Sequence, residues 1–409
     1  MSADRHAAGP PESERRSPAG VSRGTFLRRA GLGIGTVLVV GAGGLGYRAY
    51  DQGVLEVGEG PAYAPWSEWK QHEGLLPLVA AATLAPSPHN AQAWLFRLAP
   101  SRIDLFADRS RNTGAIDPFK REMYVGLGAA LENLVLTARA RGYASVVTLM
   151  PEGPQSTHAA RIELSQSATQ ESELYLQIPK RHTNRYPYVP AKDVPGSAVR
   201  AMRALTTRDT PDARLFWYTS RAERARLGDL LVAATEAIVA DPDQRRSDYD
   251  WFRQTWDEIQ RQRDGITVDA AGLSDLTAAL AKLLPAQSRK ATGEAWLTAT
   301  RERHTKTAAA YGIVAVRDAG DNSQRLQGGR LLERIHLWTA AHGLALQHMN
   351  QLTERADREV ELVLAPRFGD ALRDLIPTGW QPLSSFRAGY STHTPPKSPR
   401  RAIEAVIVT

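Results

Sequence analysis

Apolar positions recur at three- and four-residue spacing in two stretches that lie far apart in the chain. GAALENLVLTARARG (residues 128–142) can be laid on GRLLERIHLWTAAHG (residues 329–343) without a gap. Gly128 and Gly329, Leu131 and Leu332, Glu132 and Glu333, Leu134 and Ile335, Leu136 and Leu337, Ala140 and Ala341, and Gly142 and Gly343 coincide in type. Each stretch predicts an amphipathic helix stopped by a C-terminal glycine, followed by an apolar strand at 144–149 or 344–349. Apolar periodicity alone makes any two such helices partly alike; the sharper reading is two copies of one α+β unit.

A third apolar stretch has a different character. Residues 30–46 carry no charge and follow Arg23, Arg28 and Arg29. Gly41, Gly43 and Gly46, after the apolar residues 37–40, satisfy G-x-G-x-x-G, the loop that cradles a dinucleotide pyrophosphate before a helix. The following YRAYDQGVLEVGEGPAYAP (residues 47–65) spends three glycines and two prolines where that helix would stand, so a basic flank followed by an apolar core is the better description. Its length suits a cleavable signal or an uncleaved anchor. SRGTFLR (residues 22–28) resembles the twin-arginine export motif, with Gly24 in place of the second arginine. The expectation is a basic disordered tail at 1–29, a signal or membrane anchor at 30–47, and a globular part outside the cytoplasm, on the periplasmic side.

Composition narrows the remainder. A chain of 409 residues, 42% hydrophobic and 23% charged, has room for two domains. A formal charge of +7 is modest for this length, and the arginines form no basic stripe with interleaved aromatics, so no nucleic-acid partner is expected. With no cysteine there is no disulfide, thiolate metal site or Cys nucleophile. His336, His342 and His348 are six apart and do not share a helix face, so no metal site is expected.

APSPHNAQAW (residues 85–94) resembles the A-P-S-x-x-N-x-Q-P-W signature of FMN-dependent nitroreductases, with Ala93 where that family has proline. RHTNR (residues 181–185) resembles the family's opening arginine motif, and PRRAIEAVI (residues 399–407) its basic tail before a closing strand. The similarity covers about residues 66–409, and the layout is most like the fused twin-domain, Acg-like branch. It implies an α+β fold of two nitroreductase-like α/β sandwich units joined as an internal pseudo-dimer, copy 1 at 66–179 and copy 2 at 180–409. Each copy holds only half of the motif set, so one FMN site is expected across the internal interface.

For that site the resemblance implies Arg181 and Arg185, with Arg400 or Arg401, as forked donors to a phosphate dianion. Ser87, Asn90 and Gln92 would bond the ribityl chain and ring edge, although the same loop is also simply good turn chemistry. Trp94 reads as core. The implied chemistry is hydride transfer from NAD(P)H or another reductant through FMN to a nitro- or quinone-like small-molecule acceptor; the alternative is a flavin-storing or redox-sensing protein. No acid–base residue can be named, so the catalytic residues are unknown. Residues 241–300, with Trp251, Phe252 and Trp256 among charges, predict a helical insertion, either a surface hairpin or a lid whose tryptophans cover the flavin.

Overall fold

Both helix–glycine–strand stretches lie in units of the same strand order. A computed structural model describes residues 48–409, so the predicted tail and signal or anchor segment lie outside the described residues. The first unit runs α1 (Leu76–Thr83), β1 (Trp94–Ala99), β2 (Arg102–Ala107), α2 (Arg121–Ala140), β3 (Tyr143–Leu149) and β4 (His158–Gln166). Its antiparallel sheet has the order β1-β2-β4-β3. Exposure alternates along β3, the period-2 signature of a sheet with one wet face. Asp117 accepts from the backbone N–H of Glu122 (3.1 Å) and Met123 (2.9 Å), satisfying donors that the start of α2 would leave orphaned. Gly142 (φ 80°) follows the helix in the left-handed region, and Gly343 (φ 68°) does the same for its counterpart.

The second unit runs α3 (Gly196–Arg203), β5 (Ala213–Tyr218), α4 (Arg221–Ala240), α5 (Pro242–Tyr249), β6 (Phe252–Arg253), α6 (Trp256–Gln262), β7 (Ile266–Thr267), α7 (Asp275–Leu283), α8 (Arg289–Ala299), β8 (Ala310–Val316), α9 (Asn322–Ala341), β9 (Ala345–His348), α10 (Gln351–Glu361), α11 (Arg367–Leu375) and β10 (Gln381–Gly389). Its antiparallel sheet has the order β5-β8-β10-β9. Each sheet therefore places its first, second, fourth and third strands side by side, with a 20-residue helix between the second and third. Residues 100–101 join β1 to β2, whereas residues 219–309 join β5 to β8. The excursion expected at 241–300 is thus longer than the charge pattern indicated, because α4 and the residues after α8 belong to it.

Helices α2 and α9 pack against each other through their glycines. A Cβ at Gly128 would stand 2.9 Å from Gly329 Cα and closer still to Leu326 O; one at Gly329 would stand 2.9 Å from Gly128 Cα and closer still to Val125 O. The two apolar cores exchange residues over this crossing: Leu326 of α9 joins the first and Val125 of α2 the second. Glu132 adds a buried ion pair, 2.8 Å from Arg330 Nε and 2.7 Å from Arg334 Nε. Burial raises the Glu132 carboxyl, but Arg334 and Arg330 outweigh that and hold it below the usual carboxylate range.

The C-terminal tail crosses back to the first unit, where Phe96 N–H donates to Val406 O (2.7 Å) and Val408 N–H to Phe96 O (2.8 Å), covering the edge strand β1. Among the described residues no helix is long and apolar enough to cross a membrane. Gly128→Ala should lower the unfolding free energy by about 3 kcal/mol in urea melts, the upper range for overpacking a close contact; an unchanged midpoint would show that the helices separate freely.

Candidate functional site

A cavity of about 900 Å³ opens between the units, while a second hollow holds only about 10 Å³. The first unit supplies Ser87, His89, Asn90 and Glu122 to its wall; the second supplies Arg181, Thr183, Arg185 and His348, the long excursion Arg303, and the tail Ser398 and Arg400. Of the residues expected from the motifs, Ser87, Asn90, Arg181, Arg185 and Arg400 meet here although up to 313 positions separate Ser87 from Arg400.

The loop between α1 and β1 holds His89 (φ 47°), Asn90 (φ 56°) and Gln92 (φ 53°) in the left-handed region. Asparagine tolerates that conformation, but His and Gln do so at a cost of order 1–2 kcal/mol each. Neighbouring segments fix the loop. Asn90 Nδ2 donates to Pro399 O (2.9 Å) and Gly265 O (3.3 Å), Arg400 Nη1 donates to Asn90 Oδ1 (2.8 Å), and His89 Nε2 lies 2.8 Å from Asp248 Oδ1. Asn90 is therefore a hub joining loop, excursion and tail. The Ser87 hydroxyl accepts from Gln92 N–H (3.0 Å), which leaves its own proton for a further bond.

Two expected residues are not on the cavity wall. Gln92 is fully buried, donating to Arg263 O (2.9 Å) and accepting from Arg401 N–H (2.9 Å), so it staples the loop to the tail and excursion. Arg401 turns outward to Gln92 O (3.0 Å), Ala405 O (2.6 Å) and, 3.8 Å away, Asp108.

Arg181 and Arg400 converge on the end of α1, donating to Leu84 O at 2.8 and 3.1 Å, where the helix dipole favours cations. Burial lowers both guanidiniums, Arg400 the more, since Arg181 repels it. Their buried acid is Glu333, whose Oε1 is 3.4 Å from Arg181 Nε. Burial outweighs the Arg181 attraction and pushes Glu333 up to about 8, opposite to Glu132, its partner in the sequence repeat.

Arg185 and Arg303 form the other cationic group, with Arg387 behind them. Arg185 Nη1 donates to Ala270 O (3.3 Å); Arg303 donates to Gly272 O (2.9 Å) and Ala271 O (3.0 Å) from the π-helical turn Thr300–His304, an irregularity often found at functional sites. Among the described residues none of Arg185, Arg303 and Arg387 forms an ion pair with a carboxylate. Burial pushes Arg185 and Arg303 down to about 10, and Arg387 adds to the fall of each. Burial likewise takes His348, which lines the cavity, down to about 3. Arg303 was not foreseen, because one arginine among the charges of the excursion carries no periodic or motif signal.

The excursion does wall the cavity, through Phe252 and Trp296, not through the expected tryptophans. Arg111 and Arg253 lie over the Trp251 ring, at 5.4 and 5.6 Å, and Trp256 packs with Ala62, Tyr63 and Ile259. Trp94 is fully buried in the first core, as its apolar context predicted.

No family model matches the chain. It is similar to the Mycobacterium tuberculosis protein named "Putative NAD(P)H nitroreductase acg", 26% identical over 336 residues, covering 80% of this chain and 93% of that one. Another M. tuberculosis protein described as an NAD(P)H nitroreductase in the same words is 30% identical over 152 residues, 36% of this chain; the chain thus spans 44% of the length of that relative. Among solved structures, the FMN-dependent nitroreductase NfnB of Mycobacterium smegmatis in complex with NADPH is 18% identical, covers 58% of this chain and 98% of that one, and has a TM-score of 0.36. A nitroreductase with bound FMN from Desulfitobacterium hafniense is 14% identical, covers 59% and 99%, and has a TM-score of 0.34.

A carboxyl raised in the folded state binds its proton more tightly there than in the unfolded chain, so stability falls as pH rises from the ordinary Glu range through about 8 for Glu333. One such proton contributes a slope of up to about 1.4 kcal/mol per pH unit. Glu333→Gln should remove that much of the decline between roughly pH 5 and 8, read from denaturant melts; an unaltered slope would place the charge of Glu333 elsewhere.

Proposed function

We propose that the chain is an FMN-binding oxidoreductase of nitroreductase type, built as a pseudo-dimer of two fused units with one complete site between them. The observation that carries this reading is a group of four arginines on one cavity, Arg181 and Arg400 buried and Arg185 and Arg303 half-buried, while the buried acid beside Arg181, Glu333, is itself pushed toward neutrality. Such a group suits an anion of about two charges, and a phosphate monoester supplies that. The donor set fits, since among the described residues the Nε groups of Arg303 and Arg400 are buried without a hydrogen-bond acceptor and Arg181 Nε has only Glu333 Oε1, 3.4 Å away.

Arg181, Arg185 and Arg400 would hold the phosphate, Arg303 would add to the same field, and Ser87 would bond the polar chain or ring edge. Bound FMN would supply the centre that takes hydride from NAD(P)H and passes it to a nitro- or quinone-like acceptor. The protein's part is to orient the cofactor, to exclude water with the excursion, and to keep positive charge beside it. The single site is supported by the unequal repeat glutamates: Arg330 and Arg334 fill the space at Glu132, while Glu333 faces the cavity arginines. The wall formed by Phe252, Trp296 and the rest of the excursion favours a second reading, a flavin store or redox sensor in which the acceptor is kept out.

Purified protein should be yellow with one FMN per chain. Arg185→Ala should weaken FMN binding about 10- to 100-fold, as loss of a charge-assisted contact predicts, and Arg401→Ala, off the cavity wall, less than threefold. Titration calorimetry measures both; flavin-free protein that takes up no FMN would remove the reading. NAD(P)H oxidation with a quinone separates reductase from store.

We also propose that residues 30–46 anchor the chain with its globular part outside the cytoplasm, on the strength of the arginines before that charge-free run. Full-length protein should then sediment with membranes and be cut by protease added from outside; recovery of intact chain in the cytosol would overturn this.

A further inference from the structure

Two carboxyls from opposite units meet on the cavity wall. Glu122 stands in the first turn of α2, fixed by Asp117, and Glu354 in the first turn of α10; they are 4% and 5% exposed. The two side chains interact directly, and a proton on one would let it donate to the other, because two carboxylates have no donor. Among the described residues neither Glu122 Oε1 nor Glu354 Oε2 accepts a hydrogen bond, and Arg121 Nη2 stands 3.7 Å from Glu122 Oε1. Two buried carboxyls thus stand side by side on the cavity wall, where burial and mutual repulsion favour a proton on one of them.

The surroundings keep it so. Burial raises both groups, and Glu122 raises Glu354 further, as Asp248 does. Asp117 also raises Glu122. Arg121 opposes this but is shared: its Nε donates to Asp357 (2.9 Å) and its Nη1 to Leu383 O. His89 opposes it weakly, engaged with Asp248, and the Asn350 amide bonds Glu122. His89 and Asp248 also line the cavity, with side chains 10% and 15% exposed, and give protons a way in from solvent.

We propose that the Glu122–Glu354 pair is the proton donor for reduction of the organic acceptor. The inference rests on the reductase reading above. For a quinone the balance is simple. Bound FMN would supply a hydride, hence two electrons and one O–H bond; the carboxyl O–H of the pair breaks, its proton forms the second O–H bond, and hydroquinone leaves. The remaining carboxylate pair regains a proton from solvent through the His89–Asp248 side. A buried acid serves this step because its proton is held until a more basic oxygen arrives beside it. For packing alone, two glutamines or a Gln–Leu pair would fill the same space without confining a charge.

The test compares benzoquinone, which needs the proton, with ferricyanide, which takes electrons only, using NAD(P)H and the FMN-loaded full chain. Glu122→Gln and Glu354→Gln should each lower the ratio of benzoquinone to ferricyanide turnover at least tenfold at equal flavin content. The wild-type ratio should fall as rising pH strips the pair, and that fall should be absent in both variants. The flavin-free wild type should show a carboxylic-acid C=O infrared band at pH 7 that Glu354→Gln removes; this reading of the pair needs neither flavin nor turnover. An unchanged ratio, or a wild type without that band, overturns the proposal and leaves the reductase reading standing. A flavin-loaded wild type that reduces neither acceptor overturns both.

Discussion

Contact between Gly128 and Gly329 is the constraint on which the rest of the structure depends. At this crossing the backbones of α2 and α9 approach until no Cβ fits on either side. That closeness lets Val125 and Leu326 enter the opposite cores and brings Glu132 onto Arg330 and Arg334. It also sets the separation of the walls from which Glu122 and Arg181 face one cavity. Dispersion and exclusion of water favour such an approach, and the hard-sphere limit of two glycines fixes its distance.

Charge, once buried by that packing, sorts itself by partner. Glu132 meets two arginines and stays ionised, whereas Glu333 meets one at 3.4 Å and is driven toward its neutral form. The same balance leaves Arg185 and Arg303 without a carboxylate ion pair among the described residues and raises both Glu122 and Glu354. Around one hollow the fold thus gathers arginines and buried carboxyls, a combination that costs stability.

The loop Ser87–Gln92 shows how a motif serves the site indirectly. Asn90 and Gln92 were natural ligands on paper, yet their amides join the loop to Pro399, Gly265, Arg263 and Arg401, which keeps three residues at positive φ in place. Arg400 acts on the same loop from the tail. What faces the cavity is the conformation these bonds impose.

By itself the sequence determined the two long helices, their glycine ends and the strands that follow, because all of these are written in local periodicity and in single-residue φ preferences. It also determined that residues 85–94, 181–185 and 399–407 belong together, through their resemblance to one family. Which of their side chains reach the cavity was decided only by tertiary structure: Gln92 and Arg401 are turned away by bonds to segments more than 150 residues distant, and Trp251 and Trp256 by packing on arginines and on Ala62, Tyr63 and Ile259. Arg303, Glu122 and Glu354 carry no motif at all. Their chemistry arises from desolvation and from neighbours supplied by other parts of the chain, and those quantities exist only once the two units are folded against each other.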